Sequence, residues 1–379
     1  MKRTGNSVPL ALLVALLLVS ALLGSAVGCD LPRHHGEIWR FAIEETAGSV
    51  QDAYAQRFKQ MVENGTGGEV EVLVYPYGAL GTSDHITEQL HNGTLELAMS
   101  SPGHLGKLLP EVQVFLLHFV LSDDERVNAE ALRDPELHDY LDDLYAEKGL
   151  AFLTAFGEGW QVWTTQRQVK SPEDFDGMRF RVMTSPLLVA SYQAYGASPT
   201  PLPYAEVYSA LQLHMIDGQV NPVFAIEEMS FYEVTRWMTF ARQAEFITTV
   251  AANPAFLEGL SPERRELVDD VVDRLQTEIF EIQERYNRER LEQIETRRPE
   301  LHVTRLTPEQ RERFRQRALE VRKRYVEMTG PRGQHLLDLL DEAVKRAEAR
   351  LGTTQSSKSS HPGDGASTSS PEPSPKEAS

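Results

Sequence analysis

The sequence predicts an α/β protein that is long enough for two domains. Segments in which apolar and polar residues alternate, such as 38–43 and 69–75, indicate strands, and the segment that follows the first of them, 50–64, has apolar residues at helical spacing. Because strands and helices take turns along the chain, we expect an α/β class with a largely parallel core sheet. The 379 residues suffice for two hydrophobic cores, and we find no internal repeat.

The first part of the chain is predicted to contain three strands and two helices. Tyr54 and Phe58 lie on one face of the helix over residues 50–64. A second helix, over residues 84–92, is followed by Gly93, a residue type that often ends helices. The strands are expected at residues 38–43, 69–75 and 95–100.

A central unit over residues 177–222 combines the most distinctive local patterns. A strand over residues 178–183 places Met178, Phe180 and Val182 on one face, and Arg179 and Arg181 on the other. Helix, proline-rich extended chain, helix, turn and extended chain then follow at residues 185–195, 199–203, 205–213, 217–218 and 219–222. The unit therefore brings together an arginine, an aromatic residue and an asparagine, which are suitable for holding a small carboxylate.

The remaining segments are predicted to be mostly helical. Ser261 suits the N-cap and Pro262 the first turn of a long helix that continues to about residue 297 without a further Pro or Gly. Other helices are expected at residues 129–148, 225–237, 308–325 and 333–350, and strands at 150–156, 246–252 and 301–306. Residues 351–379 are rich in Ser, Pro and Gly, and we expect a disordered tail there.

The N-terminal segment has the pattern of an export signal. Lys2 and Arg3 precede an apolar stretch over residues 8–23, and small residues precede Cys29. We expect residues 1–28 to be a signal peptide of the lipoprotein type, with Cys29 lipidated and residues 30–37 as a tether. Plain secretion remains an alternative because Ala26 replaces the more usual leucine, and an uncleaved anchor is a third, disfavoured by the short apolar run. All three alternatives place the rest of the chain outside the cytoplasm.

Charge and composition exclude several classes of function. The net charge of −18 argues against binding of nucleic acid, which usually requires a basic face, but it does not exclude an anionic ligand held by a few local arginines. Cys29 is the only cysteine, so no intrachain disulfide can form. The eleven histidines show no metal-ligand spacing, and the sequence has no nucleophile elbow, P-loop or dinucleotide fingerprint. We therefore expect no metal, no cofactor and no enzymatic activity.

Short motifs in and around the central unit resemble the solute-binding proteins of TRAP transporters (tripartite ATP-independent periplasmic transporters), in the dicarboxylate-binding-type family. The resemblance extends from about Trp39 to about Arg350, and its order and spacing are more specific than any one motif. The motifs lie at residues 177–182 (GMRFRV), 196–201 (GASPTP), 206–212 (EVYSALQ), 216–222 (IDGQVNP) and 231–234 (FYEV).

The resemblance implies a two-lobed periplasmic binding protein fold, with mixed sheets flanked by helices, a hinge and a long helix spanning both lobes. The implied lobes are residues 38–158 with 246–286, and residues 159–245 with 287–350. The family also places a strand and a loop near its hinge, which correspond to residues 110–123. Its members capture small organic acids and deliver them to a membrane permease, and Asp30 after Cys29 resembles a signal for retention on the inner membrane.

The resemblance also singles out the residues expected to contact the ligand. Arg181 matches the carboxylate clamp of the family, with Arg179 left on the surface, while Asn221 and Tyr204 match ligand contacts. Gln161, next to Trp160, stands where many relatives have a second arginine, which favours a monocarboxylate with an apolar or hydrogen-bonding body. Glu45 and Ser101 follow strands, where open α/β sheets bind ligands, and Glu45 would suit an amino or hydroxyl group.

Two other functions remain open on the sequence alone. One is a ligand-sensing lipoprotein that serves a receptor rather than a permease. The other is a periplasmic hydrolase, which is disfavoured because no nucleophile–base pair can be recognised.

Overall fold

Two β-sheets organise residues 36–358, the part of the chain that this computed structural model describes. The strands are β1 (Glu37–Ala42), β2 (Val70–Tyr75), β3 (Leu97–Ser100), β4 (Ala151–Trp160), β5 (Val162–Thr165), β6 (Arg179–Val182), β7 (Ser198–Pro201), β8 (Gly218–Asn221), β9 (Trp237–Phe240), β10 (Glu245–Ala252) and β11 (His302–Arg305). One sheet has the order β2-β1-β3-β10-β4, and the other β11-β9-β5-β8-β6-β7. The predicted signal peptide, Cys29, tether residues 30–35 and tail residues 359–379 lie outside the described residues.

Helices flank both sheets. They are α1 (Val50–Gly65), α2 (Ser83–His91), α3 (Pro102–Leu105), α4 (Glu125–Ala131), α5 (Pro135–Ala146), α6 (Pro186–Ala194), α7 (Val207–Gln212), α8 (Val223–Glu228), α9 (Pro254–Gly259), α10 (Pro262–Arg297) and α11 (Pro308–Lys358). Short 3-10 helices cover Pro110–Leu116, Pro172–Phe175, Tyr204–Glu206 and Phe231–Val234. None of the helices within residues 36–358 is both long and apolar enough to cross a membrane.

The sheets are mixed rather than largely parallel. In the five-stranded sheet β1 and β3 are parallel, but β10 runs antiparallel to both β3 and β4. In the six-stranded sheet β6 is parallel to β7 and β8, whereas β5 is antiparallel to β8 and β9. The reversal at β10 follows from the path of the chain, which returns from the second sheet and enters the first in the opposite direction. The expected mixed sheets are confirmed, and a largely parallel core is not.

The chain passes between the sheets three times, and the first two crossings are neighbours. β4 ends at Trp160 and β5 begins at Val162 in the other sheet, while β9 ends at Phe240 and β10 begins at Glu245. The backbone N–H of Gln161 donates to the carbonyl oxygen of Ala244 at 2.9 Å and holds the two crossings together. α10 packs on α1 and β4 on one side and on α8 on the other. The result is a two-lobed α/β fold, in which lobe I contains the five-stranded sheet and lobe II the six-stranded one.

Apolar side chains fill the space around each sheet. In lobe I, Trp39 and Phe41 of β1 pack with Tyr54 and Phe58 of α1 and with Val271 of α10. In lobe II, a separate cluster lies under α7 and α8 and includes Val207, Ile226 and Ile294. Residues 38–358 lie in one compact unit. The predicted lobe boundaries at residues 158/159, 245/246 and 286/287 stay a prediction.

Several predicted elements are divided differently in the structure. The single helix expected at residues 129–148 is wrong, because Asp134 starts a new helix by accepting the backbone N–H groups of Glu136 (3.2 Å) and Leu137 (3.3 Å). The helix expected at 225–237 ends at Glu228, since Ser230 has a left-handed φ of 54°. Trp237 belongs instead to β9, which pairs with β5 and β11.

The C-terminal helical segment agrees more closely with the sequence. α11 is interrupted at Gly330, which has φ 66° and ψ −154°, and Pro331 follows it. The break separates two helices, as expected from residues 308–325 and 333–350. The strand expected within residues 110–123 is absent, and a 3-10 helix over Pro110–Leu116 takes its place.

Candidate functional site

A small cavity of about 40 Å³ is lined by side chains from both lobes. The lining residues are Glu44, Glu45, Gln51, Tyr77, Ser83, Ser101, His104, Arg181, Met183, Tyr204, Asn221 and Phe246. Five of the seven residues that the sequence singles out are among them, namely Arg181, Asn221, Tyr204, Glu45 and Ser101.

The position of the cavity follows from the topology of the sheets. Glu45 follows β1, Tyr77 follows β2 and Ser101 follows β3, while Tyr204 follows β7 and Asn221 ends β8. Each therefore lies at or just beyond the carboxyl end of its strand. Open α/β sheets bind ligands at this edge, where loops from neighbouring strands converge.

Arg181 supplies a buried positive charge. Its side chain is in β6 and only 2% exposed, and its Nε and Nη2 donate to the carbonyl oxygen of Leu202 at 3.0 and 2.8 Å. It forms no ion pair with any carboxylate in residues 36–358. Burial lowers the pKa of Arg181 to about 10, so the guanidinium stays protonated at neutral pH. A buried cation without a protein counter-charge suits an anionic group of a ligand.

Arg179 differs completely although it is two residues away on the same strand. It is exposed, and its guanidinium forms an ion pair with Asp217, with Nη2 2.6 Å from Oδ1. This assignment of Arg179 to the surface and Arg181 to the interior agrees with the arrangement that the family resemblance implies.

Asn221 and Tyr204 complete the lobe II side of the cavity. Asn221 is buried and its Nδ2 donates to Oε1 of Gln219, which in turn donates from Nε2 to Thr164 at 2.8 Å. The Tyr204 ring meets the Tyr77 ring of lobe I edge to face, with the ring centroids 5.8 Å apart. Two tyrosines from opposite lobes thus form an aromatic wall of the cavity.

The lobe I side is acidic. Glu44 Oε2 accepts the backbone N–H of Ser101 at 2.6 Å, and its Oε1 is buried with no hydrogen-bond partner among the described residues. Burial raises the pKa of Glu44, and the nearby His104 opposes this shift. For Glu45, burial and then the negative charge of Glu158 raise the pKa well above its usual range.

Two further carboxyl groups, those of Glu158 and Glu228, add to this acidic side without lining the cavity. Glu158 is fully buried, accepts from Gln51 Nε2 at 3.0 Å, and burial raises its pKa. Glu228 belongs to lobe II and accepts from Thr46 of lobe I at 3.0 Å. Burial raises the pKa of Glu228 to about 7. The cavity therefore has an arginine on one side and a group of interacting carboxyl groups on the other.

Trp160 and Gln161 are not among the residues that line this cavity. Trp160 lies under the guanidinium of Arg242, which is 5.6 Å from its ring centroid, and lines a different cavity. Gln161 is buried at the crossing between the sheets. Gly159 has φ 112°, and the pairing of β4 with β10 shifts next to Trp160, so the strand alternation that would direct these side chains to the cavity is interrupted.

Sequence reasoning missed several lining residues. Gln51 and Ser83 belong to helix starts, Met183 follows β6, and Phe246 is on β10. Tyr77 could have been found, because it follows β2 just as Glu45 follows β1. No local pattern indicates that Glu158 and Glu228, from different lobes, approach Glu45. The structure contains no group of three or more potential metal ligands within residues 36–358.

Comparison with known proteins agrees with this architecture. The model of the family "Bacterial extracellular solute-binding protein, family 7" matches residues 41–328. The chain belongs to this family. Its members named below are solute-binding proteins and not enzymes, and the chain is accordingly a periplasmic solute-binding protein of the TRAP-transporter type.

Two curated relatives match most of the chain. The ectoine-binding periplasmic protein TeaA of Halomonas elongata is 40% identical over 334 residues, which is 88% of this chain and 97% of that protein. The ectoine/5-hydroxyectoine-binding periplasmic protein UehA of Ruegeria pomeroyi is 41% identical over 302 residues, or 79% of this chain and 88% of that protein.

Solved structures give the same fold. The high-resolution structure of the periplasmic ectoine-binding protein of the TeaABC TRAP transporter of Halomonas elongata superposes with a TM-score of 0.79 at 42% identity, covering 82% of this chain and all of that one. A TRAP periplasmic solute-binding protein of Marinobacter aquaeolei, solved in an open form without ligand, has a TM-score of 0.77 at 42% identity and covers 80% of this chain and 99% of that one.

Proposed function

We propose that this solute-binding protein captures ectoine or a closely similar zwitterion, a small cyclic molecule with a carboxylate and a delocalised amidinium cation. The carboxylate would be bound by Arg181 and Asn221, and the amidinium by Glu45. The observation that carries the proposal is that one small cavity has an unpaired buried arginine and a buried glutamate among its walls.

Charge balance favours a zwitterion over a simple organic acid. An acid without a cation would neutralise Arg181 but leave Glu44 and Glu45 facing its body. Burial already disfavours the charged form of both carboxyl groups. An amidinium beside them would favour their ionised form and supply hydrogen-bond donors, since buried charges are stable when paired. This proposal refines the expectation of a monocarboxylate with a hydrogen-bonding body, because that body would be a cationic ring.

The relatives support the same choice. The two curated relatives at 40% and 41% identity are both named as binding ectoine. A solved relative with bound orotic acid is 26% identical, and one in complex with galactonate is 24% identical, so these more distant proteins indicate the fold more than the ligand.

A thermal-shift screen tests the ligand class. The protein from Asp30 onward, freed of ligand by unfolding and refolding, would be mixed with ectoine, 5-hydroxyectoine, succinate, glucuronate and orotate. A ligand that binds only the native state raises the melting temperature, by the equivalent of about 2.7 kcal/mol at a hundredfold excess over Kd. We expect a shift with the two ectoines alone. A larger shift with any of the acids than with ectoine would overturn the assignment.

We further propose that the lobes close on the ligand. The closed form then delivers the ligand to the membrane subunits of a TRAP permease.

We also propose that Cys29 anchors the protein to the inner membrane by a lipid. The anchor rests on the sequence around Cys29 alone. Expression of the full chain in a Gram-negative host, followed by fractionation and intact mass spectrometry, tests it. A lipid-sized mass increase that Cys29→Ser removes is expected, and an unmodified periplasmic protein would contradict the anchor.

A further inference from the structure

A second cavity borders the β4–β5 crossing, where Trp160 lines it, and shares no lining residue with the ligand cavity. It has a volume of about 570 Å³ and is here called the arginine cavity. The side chains that matter for its chemistry are Trp160, Phe240, Arg242, Gln283, Arg288 and Arg305. They come from β4, β9, the following crossing, α10 and β11, so the cavity borders both lobes.

The cavity is locally rich in unpaired arginine. Arg242, Arg288 and Arg305 form no ion pair with a carboxylate in the described part of the chain, whereas Arg311, which also lines the cavity, pairs with Asp123. In a chain with a net charge of −18, Arg288 and Arg305 place two exposed guanidinium groups without a carboxylate partner at one concavity, while Arg242 already donates from Nη1 to the carbonyl oxygen of Asp123 at 3.4 Å.

Two carboxyl groups on the rim offset this charge only in part. Glu125 and Glu284 also line the cavity. Burial, followed by the charge of Glu284, raises the pKa of Glu125 to about 7, against the opposing charge of Arg242. At neutral pH a fraction of Glu125 is therefore protonated, and positive charge remains in excess.

Aromatic rings hold two of the guanidinium groups in place. Arg242 lies 5.6 Å above the centroid of the Trp160 ring, and Arg305 lies 4.9 Å from that of Phe240. Stacking of this kind fixes the plane of the guanidinium and leaves the N–H groups at its edge as donors, apart from Nη1 of Arg242, which donates to Asp123. Oxyanions of carboxylates, phosphates and sulfates are the acceptors that match such donors.

A buried amide provides an independent sign of a ligand. Gln283 is 1% exposed, and its Oε1 accepts from Asn287 Nδ2 at 3.3 Å. Its Nε2 is buried and has no acceptor among the described residues. Buried polar groups normally have a partner, so this lining donor is open to an acceptor from outside residues 36–358.

We propose that the arginine cavity is a second binding site, which takes a small multivalent oxyanion. Arg288 and Arg305 provide the charge, Arg242 a stacked donor, and Gln283 a donor from the floor. Because its walls belong to both lobes, a bound anion contacts both and is distinct from the solute in the ligand cavity.

Calorimetric titration of the purified chain with sodium citrate and with sodium sulfate tests the site, with sodium chloride at equal ionic strength as reference. The double variant Arg288→Gln with Arg305→Gln removes two charges from the cavity. The matched control, Arg274→Gln with Arg324→Gln, removes two exposed arginine charges elsewhere. We expect saturable binding with one-to-one stoichiometry that weakens at least tenfold in the cavity variant and less than twofold in the control.

The variant Arg181→Ala separates this site from the ligand cavity and should retain citrate binding. Binding of citrate but not sulfate assigns the site to organic polyanions, and binding of both to oxyanions in general. Heat that the chloride reference reproduces, equal weakening in the two double variants, or loss of citrate binding only in Arg181→Ala would each overturn the proposal.

Discussion

Two arginines that are neighbours on one face of β6 have opposite surroundings. Arg181 is buried against the carbonyl oxygen of Leu202, and Arg179 is exposed and paired with Asp217. The pair provides a built-in comparison, because the two substitutions to alanine delete the same chemical group from the same strand.

Arg181→Ala should weaken ligand binding by about 2–5 kcal/mol, since the ligand carboxylate would be buried without its partner. Arg179→Ala should leave Kd within a factor of two. Calorimetry on both variants, with circular dichroism to confirm folding, makes the measurement. Equal Kd values in Arg181→Ala and the wild type would contradict the carboxylate-binding role.

The raised pKa of Glu228 makes a pH prediction. Its ordinary value is 4.5, and burial raises the pKa in the folded protein to about 7. The unfolded state loses its proton first, so the stabilising contribution is complete below pH 4.5 and is lost as the pH rises through about 7. The melting temperature of the ligand-free protein should therefore fall from pH 5 to pH 8.

The variant Glu228→Gln should flatten this fall, because its side chain has no proton to lose in the range. Glu206→Gln, an exposed change in the same lobe, serves as control and should keep the wild-type slope. Melting curves recorded at half-unit pH steps give the slope of melting temperature against pH for the wild type and both variants. Identical slopes in wild type and Glu228→Gln would show that this carboxyl group is not perturbed as described.

At the scale of residues, the sequence indicated one half of the site better than the other. Arg181, Asn221 and Tyr204 lie within a local unit whose motifs are contiguous, so they could be predicted together. On the acidic half, Glu45 and Ser101 could be predicted because they follow strands, but Glu158 on β4 and Glu228 on α8 could not, because they come together only through the crossing of the chain between lobes. Trp160 and Gln161 show the same limit, since Gly159 turns the strand before them.

At the scale of elements, glycine at position 330 separates the two helices of α11. Its φ of 66° with ψ of −154° lies in a region that is essentially restricted to glycine, and a methyl group added there would meet no atom within 4 Å. Any cost of Gly330→Ala therefore arises from the backbone alone.

Gly330→Ala should destabilise the protein by about 1–3 kcal/mol. Gly259→Ala is the matched control, because a methyl group at Gly259 also has open space and its φ is not positive. Urea unfolding of both variants measures the difference. A loss of stability in Gly259→Ala as large as in Gly330→Ala would refute the backbone explanation.

The predicted element boundaries are wrong where pairing with distant segments determines the structure more strongly than local propensity does. The sequence pattern predicted α10 and both halves of α11, since caps and breakers such as Ser261 and Gly330 act locally. It missed β9, whose residues Trp237–Phe240 continue an apolar pattern compatible with a helix but are paired on both sides by β5 and β11. It also missed the Asp134–Pro135 helix start within an otherwise helical pattern.

At the scale of the whole molecule, side-chain contacts between the lobes lie beside the ligand cavity. Thr46 donates to Glu228 across the lobes, and Tyr77 meets Tyr204 edge to face. Such contacts are modest in energy, so we expect ligand to shift the lobes toward closure about the crossings near Gln161 and Ala244. Small-angle scattering should show a smaller radius of gyration with saturating ectoine. A radius that is unchanged by ligand would contradict closure.

The central claim is that one cavity recognises both charges of a zwitterion. Calorimetric titration of ligand-free protein with ectoine, and separately with succinate, tests it most directly. We predict saturable one-to-one binding of ectoine in the micromolar range or tighter, with succinate at least a hundredfold weaker because it has no cation for Glu45. No heat from ectoine in folded, ligand-free protein, or equal affinity for succinate, would contradict the account.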